Sequence, residues 1–124
     1  SIQSKPHETK RRKERKRAID ILIEQKALFE SDLAKRRDRE SRDRIFESLK
    51  KSGAVVIETP RERIAIEPSY WSEFLEKLSS IDSNNPEEVK QVLDDVGMKL
   101  FDALRESASI YFDATEKRWK LVQE

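Results

Sequence analysis

The chain has 124 residues, no cysteine, one histidine, and 41% charged against 35% hydrophobic residues. Disulfides, thiolate metal sites and cysteine nucleophiles are therefore excluded, and no apolar run approaches the roughly 20 residues that span a bilayer. The net charge of +1 conceals a segregation: residues 1–51 hold 17 Lys and Arg against 10 Asp and Glu, and residues 52–124 hold 9 against 15.

Length indicates one domain. The near balance of acids and bases, with five Phe, two Trp and two Tyr as anchors, argues against wholesale disorder. High charge with modest apolar content fits long charged helices carrying a narrow apolar seam, and a burial margin thin enough that a second copy or another protein would help. The N-terminus is polar and basic without the apolar stretch of a signal peptide. The expectation is an intracellular location, with nucleus and cytoplasm not distinguishable.

Residues 1–7 read as a flexible lead-in and residues 8–124 as a single helical domain. Residues 10–17, Lys-Arg-Arg-Lys-Glu-Arg-Lys-Arg, place seven bases and one acid in eight positions. From Ile19 to Leu33 apolar residues recur at helical spacing. Lys35–Arg44 then contains no apolar residue, and reads as a solvated helix stretch or a break with Ser41 as a new N-cap. Ile45, Phe46 and Leu49 resume the stripe, and Gly53 suits a left-handed C-cap. An unbroken helix from Glu8 to Lys51 would be about 65 Å long.

Residues 54–67 read as a β-hairpin, with β-branched Val55, Val56 and Ile57, alternating Arg63–Glu67, and Pro60 preset for the turn. Pro68–Ser69 begins a short helix whose Trp71, Phe74, Leu75 and Leu78 should pack beneath the hairpin. Asp82–Asn85 is a loop, with Asn85 as cap and Pro86 at the first helical position. Val89, Leu93, Val96, Leu100, Leu104, Ala108, Tyr111 and Trp119 lie near one seam, so a long terminal helix is expected at about 86–122. No internal repeat stands out. The expected fold is mainly α: an elongated helical bundle, or a coiled-coil-like pair of long helices, with one inserted β-hairpin. A different placement makes the hairpin the wing of a winged-helix layout, with Lys50 and Lys51 ending the recognition helix and Arg61 and Arg63 beside the tip.

Catalysis finds no support. His7 lies in the lead-in, no nucleophile–base set, glycine-rich phosphate loop or metal-ligand spacing occurs, and Glu87–Glu88 and Asp94–Asp95 read as solvated helix acids. The chain is read as non-enzymatic, with no cofactor and no metal. Dense positive charge binds phosphates by releasing counterions. The expected function is therefore that of a nucleic-acid-associated module. Lys10, Arg11, Arg12, Lys13, Arg15, Lys16 and Arg17 form its main contact with nucleic acid or another polyanion, supported by Arg36, Arg37 and Arg39. The alternative is a protein–protein assembly module whose long helices pair with another chain or a second copy. No membrane partner is expected.

Overall fold

The apolar stripe beginning at Ala18 forms a helix of only eight residues. In the computed structural model, which describes residues 17–122, α1 spans Ala18–Gln25 and stops at Lys26, whose φ of 73° lies outside the helical region. Ala27–Phe29 follows as strand β1, with all three residues buried. Helix α2, Glu30–Leu33, is a single turn. Helix α3, Arg39–Lys51, starts afresh because the Asp38 side chain accepts from the Ser41 N–H at 2.9 Å. The charged stretch is thus a corner followed by a new helix, with Asp38 rather than Ser41 as its cap. Strands β2, Val55–Glu58, and β3, Arg63–Ile66, form the expected hairpin. Strand β1 joins it antiparallel to β3, with Leu28 opposite Ala65, so the sheet runs β1-β3-β2.

Helix α4, Pro68–Ser80, starts where Glu67 accepts from the Ser69 and Tyr70 N–H groups. Helix α5 is Pro86–Val92, capped by Asn85, and α6 is Asp95–Glu106. Strands β4, Ile110–Asp113, and β5, Arg118–Leu121, form a second, two-stranded sheet.

This arrangement overturns the expected elongated bundle. The described residues form an α/β structure of six short helices and two sheets, with neither long helix and no coiled-coil pair. The terminal segment breaks twice. Leu93 is extended, and Asp94 caps α6 by accepting from the Gly97 N–H at 2.8 Å while its same oxygen takes the Tyr70 hydroxyl at 2.5 Å. Beyond α6, Ala108 turns to φ 58°, and Ile110-Tyr111-Phe112 prefers a pleated surface. Ala108, Tyr111 and Trp119 therefore lie on a turn and two strands, not on a helical seam. The long helices on which the assembly reading relied are absent among the described residues.

Two clusters form the core. Leu22, Phe46 and Leu49 from α1 and α3 meet Leu28, Ala54 and Ala65 on one face of the first sheet. On its other face Phe29, Ile64 and Ile66 meet Tyr70, Phe74 and Leu78 of α4, then Val89, Leu100, Phe101, Leu104, Ile110 and Trp119. Trp71 and Leu75 pack against this cluster at its margin. The first sheet is buried on both faces, which is why Ile64, Ala65 and Ile66 are all apolar.

The first half runs in the order α1-β1-α2-α3-β2-β3, with β1 beside β3. The second half repeats that order as α4-α5-α6-β4-β5, without a strand between its first two helices. Sequence reading found no repeat, yet buried Phe46 and Leu49 recur as buried Phe101 and Leu104. Gly53, at φ 97°, recurs as Ala108 at φ 58°. The helix exits match too: the Ala54 N–H donates to the Leu49 carbonyl at 3.0 Å and the Ser109 N–H to that of Leu104 at 2.8 Å.

Candidate nucleic-acid interface

The turn that separates α2 from α3 is cationic. Arg36 and Arg37 lie in it, both backbone N–H groups donating to the Leu33 carbonyl at 3.0 Å, and Arg39 is the first residue of α3. All three are exposed, as is Lys35, which pairs with Asp32 at 3.6 Å. The Arg37 guanidinium donates forward to the Ser41 hydroxyl at 3.2 Å. Among the described residues, the side chains of Arg36 and Arg39 make no hydrogen bond or ion pair. Sequence reading identified these three arginines but not the corner that gathers them.

Neighbouring cations are already engaged. Glu30 accepts from Arg42 at 3.0 Å and from Arg63 at 2.7 Å. Arg63 also meets Asp43 at 2.8 Å and lies over the Phe46 ring. The Arg63 hydrogen bond, helped by Arg42, draws the Glu30 carboxyl down from 4.5 to about 2, and the same bond pushes Arg63 upward. These residues tie α2, α3 and β3 together, which assigns Arg63 to the fold and not to a free wing. At the hairpin tip Arg61 pairs with Glu106 of α6 at 3.0 Å. Lys99 of the same helix pairs with Asp32 at 2.9 Å and lies over Phe29, and its hydrogen bond lowers the Asp32 carboxyl below its usual value. The second half therefore docks through α6 onto the first half, while α3 keeps an outward face.

That face is of mixed sign. Asp43, Arg44, Glu47, Ser48, Lys51 and Ser52 line a shallow depression of about 550 Å³. Of the basic N-terminal run, Lys10, Arg11, Arg12, Lys13, Arg15 and Lys16 lie outside the described residues. Arg17 is the exposed residue before α1 and pairs with Asp20 at 3.2 Å. Among the described residues no group of three or more His, Cys, Asp or Glu side chains is placed to hold a metal ion, and no helix is long and apolar enough to cross a membrane. Comparison of the chain with protein-family models, with curated proteins and with solved structures gave no match.

Proposed function

We propose that this chain is a nucleic-acid-associated module without enzymatic activity, which holds phosphates through the Arg36–Arg37–Arg39 corner and the Lys10–Arg17 run leading into α1. The supporting observation is that Arg36 and Arg39 are exposed and unengaged, whereas Arg42 and Arg63 nearby are committed to Glu30. The order of the first half is that of a winged helix-turn-helix with α3 as the motif's second helix, and the start of that helix is where a helix-turn-helix meets the duplex. Phosphate contacts there fix position and carry no sequence information. Glu40, Asp43 and Glu47 along α3 repel phosphate, which favours backbone contact at the corner over base reading along the helix.

The test is a salt titration of binding to generic duplex and single-stranded nucleic acid. Replacing Arg36, Arg37 and Arg39 together with Gln should keep the circular dichroism spectrum. It should weaken binding to all sequences and flatten the log–log salt slope by about 0.9 for each phosphate no longer neutralised. Replacing the seven bases of Lys10–Arg17 with Gln should do the same more strongly. Unchanged affinity of both variants at every salt concentration would reject the reading.

A further inference from the structure

Helix α6 reaches the first half at two points. Lys99 pairs with Asp32 of α2 at 2.9 Å, and Glu106 with Arg61 at the hairpin tip at 3.0 Å. Ala103, with Glu106 and Ser107, borders a recess of about 150 Å³ against residues 59–62. Helix α3 is the counterpart of α6, since buried Phe46 and Leu49 match buried Phe101 and Leu104. Counted from these anchors, Arg44 stands at the place of Lys99, Ser48 at that of Ala103, Lys51 at that of Glu106 and Ser52 at that of Ser107. These four residues of α3 line its open depression. The face with which α6 docks is therefore the face that α3 leaves uncovered.

The surface on which α6 docks has a counterpart as well. Asp32 is the third residue of α2, and Glu88 is the third residue of α5. Each precedes the residue that its helix turns towards the core, Leu33 and Val89 respectively. Glu88 is exposed, as is Arg44, and among the described residues neither side chain makes a hydrogen bond or ion pair. Stacked repeats meet through the same pair of faces at every step. This chain uses that pair once, inside itself, and keeps one unused member at each end: the α3 face on the first half and the α5 face on the second.

We propose that a second copy of this chain is the partner of the α3 face, which docks on that copy's α5 as α6 docks on α2. Arg44 of one copy meets Glu88 of the next, base against acid as in Lys99 and Asp32. Glu116 stands at the place of Arg61 but is held by Arg118 and Lys120, so the Arg44–Glu88 pair is the one that orients the contact. The two faces differ, so the interface is heterologous and runs head-to-tail, leaving each assembly with a free α3 face at one end. It is also more polar than the contact within the chain. Lys99 lies over Phe29, the residue ahead of α2, whereas Asn85 is the residue ahead of α5. Copies therefore associate weakly and separate as salt rises, while the halves of one chain stay joined by their common core.

The measurement is sedimentation of the full chain without nucleic acid, so its outcome does not depend on the phosphate-binding reading. At low salt the weight-average mass should rise with concentration and pass that of a dimer, and added salt should reverse the rise. Arg44→Glu and Glu88→Arg, each checked for an unchanged circular dichroism spectrum, set like charges face to face and should each weaken association at least about tenfold. The double variant Arg44→Glu/Glu88→Arg restores opposite charges and should recover the parental association. A monomer mass up to millimolar concentration overturns the proposal. So does a mass that levels off at the dimer, which would mean a closed two-fold contact. Single variants that associate like the parent, or a double variant that stays monomeric, overturn it equally.

Discussion

Replacing Glu30 with glutamine removes one charge and keeps the side-chain shape. The residue sits where α2, α3 and β3 meet, its side chain 15% exposed, with those of Arg42 and Arg63 at 18% and 23%. A carboxyl held at about 2 against a usual 4.5 contributes about 3 kcal/mol at neutral pH. The sign follows from the depressed value: the contribution is fully present above pH 4.5 and is lost as pH falls towards 2. Glu30→Gln should therefore lower stability at pH 7 by about 3 kcal/mol, or roughly 10–15 °C in Tm. Asp43 still faces Arg63 at 2.8 Å, so the variant should fold. Urea unfolding of both proteins between pH 2 and pH 7 is the assay. Asp32, Glu67 and Asp94 are also held low, by Lys99, by the Ser69 N–H and by the Tyr70 hydroxyl respectively, but they act equally in both proteins. The difference between the curves thus isolates Glu30, and should shrink as pH falls from 4.5 to 2. A variant within 1 kcal/mol of the parent at pH 7, or a gap independent of pH, would refute this account.

Gly97→Ala should destabilise, although alanine usually favours a helix by about 1 kcal/mol, because its Cβ would lie 3.0 Å from Asp94 Oδ1 and 3.2 Å from the Tyr70 hydroxyl; a raised Tm would contradict this. Ala108→Gly should raise stability by up to about 1 kcal/mol, since a left-handed φ of 58° costs alanine and not glycine; chemical denaturation reads the change directly. Phe74→Ala should cost about 3–5 kcal/mol, because its side chain fills the cluster joining both halves, and a near-neutral result would exclude that role. Tyr70→Phe should cost about 1–2 kcal/mol by removing the hydrogen bond to Asp94, with the Asp94 carboxyl rising towards its usual value by NMR titration.

The parts of the fold legible in the sequence are those set by neighbours along the chain. Val55-Val56-Ile57 with Pro60 announces a hairpin, Pro68 begins a helix, and Asn85-Pro86 begins another. Strand β1 is hidden because Ala27-Leu28-Phe29 continues the spacing of Ile19, Leu22 and Ile23, and only its distant partner β3 makes it extended. The break at Asp38 depends on a side-chain cap that looks like one more charge in a charged run. Strand β5 alternates Arg118 and Lys120 with Trp119 and Leu121, but Trp119 also fits a helical seam, and the turn at Lys117 carries no glycine. For the candidate interface, charge alone picked out Arg36, Arg37 and Arg39. Nothing local showed that Arg63 would be taken up by Glu30.

A sheet with an interior on each side has a consequence for how the chain is made. When Ile66 leaves the ribosome, α1 and α3 can already cover Leu28 and Ala65. Phe29, Ile64 and Ile66 must wait for α4, α5 and α6. The nascent first half is therefore left with one greasy side, open to wrong partners until α4, α5 and α6 have been made. The same dependence makes a cut near Glu67 fatal to both fragments, so limited proteolysis should yield no stable half.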